Sequence, residues 1–197
     1  MKILSTYLFL ILFSFQTSSW ADDISDFEIE GMSIGDSLLD YFSKKEIKDN
    51  TNTNYYTNNK YTSVSFNRLP AFEIYESVEF NYKTDDKKYI IAAIDGGLFC
   101  EKNIEKCNKK QKEIDLELSK MFKKAEREVD KGKHSADESG KSTFLHINFW
   151  LITGDVVVIE LVDWSEKITN EKGWTDNVSL ILYTSDFAQW IIDDSQN

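Results

Sequence analysis

His146 is one of only two histidines in a chain of 197 residues, and a hairpin turned on Gly154-Asp155 sets it opposite Asp163. A histidine oriented by a carboxylate, with Trp150 beside it, is the minimal equipment of a general base. On a solvated sheet face the same pair is a cross-strand ion pair, and catalysis needs a nucleophile or metal ligand that the neighbouring sequence does not supply. Trp150, Trp164 and Trp174 are candidate binding residues, joined by Trp190 and Tyr183, because such rings stack on a sugar or peptide when they are not core. Cys100 and Cys107 are the only thiols. On one helix they would lie about 10 Å apart along the axis, beyond the roughly 7 Å limit between bridged α-carbons. A disulfide therefore requires Cys100 to lie outside the helix that holds Cys107. The spacing is too wide for a C-x-x-C redox pair, and two thiols make a poor metal site, so a structural staple is expected. No metal or other cofactor is expected.

Ser33 and Ser37 are the serines in suggestive contexts. Gly31-Met32-Ser33-Ile34-Gly35 matches a G-x-S-x-G nucleophile elbow, but that turn needs parallel strands and an oxyanion loop ahead of it, for which too few residues precede Ser33. Gly35-Asp36-Ser37-Leu38 resembles the motif of the GDSL (SGNH) hydrolases, exported esterases and lipases among them. The resemblance implies Ser37 as nucleophile, an oxyanion hole completed by a G-x-N-D asparagine, and a base from a C-terminal D-x-x-H. This chain has neither of those partners: Lys131 stands three residues before His134, and Thr143 three before His146. Without a base a serine hydroxyl stays a weak nucleophile. Gly140-Lys141-Ser142 matches the end of a phosphate-binding loop, but Ser135 replaces its first glycine and a strand follows in place of a helix.

The stretch from Phe27-Glu28-Ile29-Glu30-Gly31-Met32 through Asp40-Tyr41-Phe42 is similar to a group of small exported bacterial proteins of unknown function. Its members share a G-G-x-F-x-E-x-N-I-E-K-C stretch, matched from Gly96 to Cys107, and a G-K-S-T before the late strands, here Gly140 to Thr143. The resemblance spans most of the chain and implies export without implying an activity.

Composition and targeting agree with export. Lys2, an apolar run at 3–15 and Ser19-Trp20-Ala21 ahead of Asp22 form a secretory signal peptide, too short for a membrane span. Residues 1–21 are read as that signal and 22–197 as one α+β domain, periplasmic or secreted, with no integral membrane segment once the signal is removed. The full chain is formally −11, and the signal carries only Lys2, which leaves −12. Such a surface repels nucleic acid, whose binding draws on clustered Lys and Arg. A protein or small ligand of the envelope is the expected partner.

Periodicity assigns the elements that must position these residues. A short strand at 27–30 leads to a helix begun by the Ser33 and Asp36 capping pair, with Ile34, Leu38, Leu39 and Phe42 on one face; Ser43 to Glu46 repeats the capping signal. Residues 49–60 read as a solvated polar loop without the glycine and final carboxylate of a calcium loop. Strands follow at 61–67 and 74–82, and a turn at Thr84-Asp85-Asp86-Lys87 pairs Tyr82 with Tyr89, Phe80 with Ile91 and Val78 with Ala93. Helical spacing then runs from Ile104 through Cys107, Gln111, Ile114, Leu118, Met121, Phe122 and Ala125 to Val129. After a loop at 131–141 come strands at 142–152, 155–164 and 177–184 and a helix at 186–192. The expected fold is α+β: a mainly antiparallel sheet of about six strands, with one long and two short helices packed on one face. A non-enzymatic envelope or binding protein is the leading expectation. A small hydrolase using Ser37 or the His146 and Asp163 pair is the alternative. Mass spectrometry of the exported protein should find Asp22 as its first residue; a chain beginning elsewhere or retaining Met1 overturns the signal assignment.

Overall fold

From residue 61 onward, most of the strand segments put an apolar side chain on one face at every second position, and antiparallel pairing of these segments, with the charged β6 added at the edge, builds one large sheet. The computed structural model describes residues 23–195 apart from 54, 57, 101 and 102, so the signal segment and the cleavage point between Ala21 and Asp22 lie outside the described residues. A small ribbon, β1 (Glu28–Ile29) and β2 (Met32–Ser33), opens the chain, followed by a 3-10 turn at Leu38–Asp40 and α1 (Lys44–Asp49). Then come β3 (Tyr61–Asn67), β4 (Ser77–Lys83), β5 (Ile91–Phe99), α2 (Ile104–Met121), β6 (Glu126–Lys133), β7 (Thr143–Trp150) and β8 (Val156–Asp163). The chain closes with α3 (Glu166–Lys172), β9 (Asn177–Tyr183) and α4 (Ser185–Ser195). The sheet has seven strands in the order β3-β4-β5-β9-β8-β7-β6, every pair antiparallel.

The α+β class holds, with three differences from expectation. The seventh strand is β6, where helical spacing had extended the long helix to Val129. The helix stops at Phe122, whose N–H still bonds Leu118, and the eight residues of Glu126–Lys133 pair along the whole of β7 instead. Helices lie on both faces, not one. The expected helix at Ser33 is replaced by β2 and the short 3-10 turn. Asp36 accepts from the Ser33 N–H at 2.9 Å as a capping pair should, but Gly35 sits at φ +92° and its N–H bonds Ile91 on the sheet. That left-handed residue breaks the helix before it starts. The second capping signal is real: Ser43 and Glu46 form a reciprocal box at the start of α1.

One face of the sheet carries the main core. Val64, Phe66, Val78, Phe80, Ile94, Ile147, Phe149, Val157, Ile159, Val178 and Leu182 meet Cys107, Leu118 and Phe122 of α2, Ile47 of α1, and Ile29, Met32 and Leu38 of the opening segment. Glu30 locks that segment down: its carboxylate accepts the N–H groups of Glu73, Ile74 and Tyr75 at 2.7 to 2.8 Å. The opposite face alternates out of this core and is polar. A bulge at Ala92 resets the alternation of β5, so that Ile91 and Ile94 enter the core while Ala93 and Asp95 point the other way. Packed on the polar face at one end is α4, where Phe187 and Trp190 bury against Tyr61 and Ala93.

Cys100 and Cys107 are bridged with their α-carbons 5.8 Å apart, and Cys100 precedes α2 as the spacing argument required. Because Cys100 directly follows β5 and Cys107 lies in the first turn of α2, the bridge fixes where the helix leaves the sheet. Reduction should cost about 2 to 3 kcal/mol and lower the melting temperature by roughly several degrees. Thermal unfolding with and without reductant, with thiol counting under denaturing conditions, checks this; two free thiols in protein from an oxidising compartment refute it.

Candidate functional site

The hairpin that carries His146 turns through Ile152, Thr153 and Gly154. Leu151 and Asp155 still exchange a backbone hydrogen bond of 2.9 Å across it, and Gly154 takes φ +87° at the third loop position. A three-residue loop ending in a left-handed glycine is a standard hairpin solution, and it shifts the register by three from the two-residue turn expected. His146 is therefore opposite Glu160, its Nε2 2.6 Å from Glu160 Oε2, and Asp163 is opposite Thr143. Trp150 faces Val156 and Phe149 faces Val157. Burial, with the nearby Asp176 charge, raises the carboxyl of Asp163. A shift of three also moves the β4 and β5 hairpin: Phe80 faces Ile94 and Val78 faces Gly96. There Asp86 takes the N–H groups of Lys88 and Ile90, and Ser37 bridges Ile90, so residues 88–90 serve the loop and the opening segment instead of β4.

The serine candidates are not brought to the histidine. Ser37 caps the 3-10 turn, accepting from Leu39 N and donating to the Lys88 carbonyl at 2.6 Å. It sits beside the start of β5, three strand spacings or about 14 Å from β7. Ser33 donates to the Phe27 carbonyl at 2.9 Å. The Gly140-Lys141-Ser142 turn belongs to a knot in which Asp137 Oδ2 accepts from the Ser142 N–H, the Ser142 hydroxyl and the Ser165 hydroxyl. Hydrogen bonds from Ser139, Ser142 and Ser165 hold the Asp137 carboxyl well below the usual range. The knot ties the β6 and β7 loop to the start of α3.

What the sheet does bring together is an acidic, polar face. Read across the strands, one row runs Ser65, Glu79, Asp95, Ile181, Val158, Asn148, Glu128, and the next runs Asn67, Ser77, Gly97, Ser179, Glu160, His146, Asp130. Aromatic rings stand at both ends. Tyr183 and Trp150 pack beside α4, and Trp150 Nε1 reaches Glu128 Oε2 at 3.3 Å. At the other end Phe144 lies 4.7 Å from His146, and His134, Trp164 and Trp174 continue the stack at 4.4 and 4.6 Å between ring centroids. Trp174 is 39 % exposed, with the Lys172 ammonium over its ring. Burial lowers the His134 imidazole, and Glu160 opposes that shift.

Of the stretch 49–60, expected as a solvated loop, Asn52 and Tyr56 reach down onto this face. Asn52 donates to Ser63 and Ser65 at 2.7 and 2.6 Å, and the Tyr56 hydroxyl donates to Asn81 at 2.7 Å. Beneath them Ser65 donates to Glu79 at 2.9 Å. Burial raises the Glu79 carboxyl in spite of these hydroxyls. Asp95 is raised further, by burial first and then by the charges of Glu160 and Glu79, and its Oδ1 is out of solvent contact with no hydrogen-bond partner among the described residues. Burial, with the charges of Glu160 and Asp95, raises the Tyr183 phenol. Sequence reading found Trp150, Trp164, Trp174 and His146 but not Glu79, Asp95 or Glu160. The polar side of β4, Ser77, Glu79 and Asn81, is a local pattern that marks Glu79 alone.

Among the described residues no three His, Cys, Asp or Glu side chains converge to hold a metal ion, and no helix is long and apolar enough to cross a membrane. No family model matches the chain, and no curated protein or solved structure matches it.

A carboxyl raised by the fold binds its proton more tightly folded than unfolded, so stability falls as pH rises from the ordinary carboxylate range through the folded value. Asp95→Asn removes that loss and should raise the melting temperature at neutral pH on the order of a few degrees, with the gain shrinking at acid pH. Thermal unfolding of both forms across pH 4 to 8 is the check; a destabilised variant at neutral pH contradicts it.

Proposed function

We propose that this chain is a non-enzymatic binding protein of an extracytoplasmic compartment, and that its ligand is received on the acidic face between the Tyr183 and Trp164 ends. The observation that carries the reading is the enclosed Oδ1 of Asp95, without a hydrogen-bond partner among the described residues and opposite Glu79 across the strands, in a face rich in hydroxyls and aromatic rings. A fold gains nothing by setting two carboxylates opposite each other, since like charges so placed are destabilising. Such an arrangement, kept at a cost in stability, is a usual mark of a functional site. His146 supports binding over catalysis. Its Nε2 engages Glu160, and Ser37, the serine that the hydrolase reading needs, belongs to a different part of the molecule with its hydroxyl committed to a carbonyl. The disulfide fits an oxidising compartment.

Backbone amide NMR with small amines, short peptides and oligosaccharides as probes tests the reading. Shifts should gather at Glu79, Asp95, Ser179, Glu160 and His146. Shifts at none of these with every probe, or ester hydrolysis abolished by Ser37→Ala, would overturn it.

A further inference from the structure

The two edges of the sheet are finished differently. At β3 the chain closes its own edge: the Ser65 N–H bonds the Asn50 carbonyl, the Asn52 N–H bonds the Ser63 carbonyl, and Thr51 bridges Val64. At β6 it does not. His134 continues the β6 and β7 register, and its N–H bonds the Ser142 carbonyl. Antiparallel alternation then turns the backbone groups of Glu126, Glu128, Asp130 and Gly132 toward β7, and those of Arg127, Val129, Lys131 and Lys133 outward. Among the described residues none of these outward N–H and C=O groups has a hydrogen-bond partner.

An edge that is to stay unpaired is commonly short, bulged, broken by proline or covered. β6 is none of these. It runs eight residues in unbroken register against β7, contains no proline, and is exposed at every residue except Gly132. Packing also holds it in place: the Arg127 guanidinium meets Asp115 of α2 through Nε and Nη2 at 3.0 and 2.9 Å, and Gly132 leaves room for the Phe144 ring, which a β-carbon there would crowd at 3.2 Å. A preformed strand of this kind offers an added chain a row of main-chain hydrogen bonds without having to be ordered first.

Charge blunts an edge as well, but on β6 it is sorted, and sorted charge selects. On the polar side Glu126, Glu128 and Asp130 stand at every second position. On the side toward α2 Arg127 is taken by Asp115, Val129 is 48 % exposed, and Lys131 and Lys133 follow. Opposite charges directly across a ladder attract and like charges repel. The complementary strand therefore carries Lys or Arg at alternate positions beside the acids, a β-branched residue beside Val129, and acids beside Lys131 and Lys133. A uniformly basic chain meets repulsion at Lys131 and Lys133, and a uniformly acidic one meets it at the acids.

We infer that β6 is the docking edge for an extended segment of another protein, added antiparallel to the sheet, with basic side chains alternating against Asp130, Glu128 and Glu126. This goes beyond the binding reading above and does not depend on it.

The capped peptide E-T-E-K-V-K-T-K, written to run antiparallel from Lys133 to Glu126, is the probe. It is titrated into the oxidised protein and followed by amide hydrogen exchange. In the protein alone the amides of Glu128, Asp130 and Gly132 should exchange slowly and those of Arg127, Val129, Lys131 and Lys133 rapidly; the peptide should protect the second set. N-methylation of its valine and of the glutamate two residues earlier blocks two ladder bonds and leaves every charge in place, so affinity should fall at least about tenfold. Val129→Pro removes one outward N–H and no bond to β7, a substitution that edge strands accept, and should cause a similar loss while the protein still melts cooperatively. Glu128→Lys should weaken the peptide, and Glu105→Gln, an exposed charge on α2, should not. Equal binding by the N-methylated peptide would mean diffuse charge attraction and overturn the inference. So would protection at Asp95, Ser179 and Glu160 in place of β6, no protection at millimolar peptide, or a concentration-dependent dimer that protects the same amides without peptide. The binding reading is tested on other amides with other probes, so either can fail while the other stands.

Discussion

The antiparallel ladder between β5 and β9 is the interaction on which the rest of the molecule depends. Without it the chain would be two separate meanders, β3-β4-β5 and β6-β7-β8, linked by α2 and each with a free edge. The last strand, β9, slots between them, pairing Ala93 to Phe99 on one side and Val156 to Val162 on the other. This closure is long-range, and its loop entropy is offset only when both ladders and the core face form together. It also brings Asp95, from the first half of the chain, within electrostatic reach of Glu160 from the second. The acidic face has no counterpart in either meander alone.

The two faces of the sheet answer to different demands. Toward α2 the packing is dense and apolar, and the carboxylate of Glu30, although half-buried, is satisfied by three backbone donors. Toward Asn52 and Tyr56 the polar groups are organised but incompletely satisfied, and carboxylates that repel one another lie side by side. A polar network satisfied at every member rigidifies a protein, while one left incomplete is a liability unless something completes it. Asp137, bound by three serines, and Asp95, whose Oδ1 has no hydrogen-bond partner among the described residues, are two extremes within one chain.

Local chemistry was legible wherever it was local. The Ser43 box, the strand at β3, the late strands, the final helix and the placement of Cys100 ahead of its helix all follow from short patterns. What escaped were features decided by partners far along the chain. β6 carries one apolar residue, Val129, in a run of alternating charges, so it offered no period-two signal strong enough to end the helical reading. Both hairpin registers missed by three because the glycine or Asx geometry that sets a loop also sets its length, and Gly154 satisfies either a first or a third loop position. That ambiguity named Asp163 as the partner of His146 when it is Glu160. Trp164 and Trp174 were recognisable as aromatic candidates, but the acids between the two aromatic ends become neighbours only through the β9 insertion.

The alternation that hid β6 has a consequence for how the molecule meets its own copies. Glu126, Glu128 and Asp130 project from one side of this fully exposed edge, and Arg127, Lys131 and Lys133 from the other. Two copies joining edge to edge about a two-fold axis must keep each side of the sheet continuous, which sets acid against acid and base against base, or spends contacts on Val129 and Gly132. Every symmetric alignment meets the same conflict. An open strand is ordinarily an invitation to extend a sheet from one molecule into the next. Here the sorting of charge by side makes the edge repel its own image, so that a ladder of seven strands ends where the chain ends it.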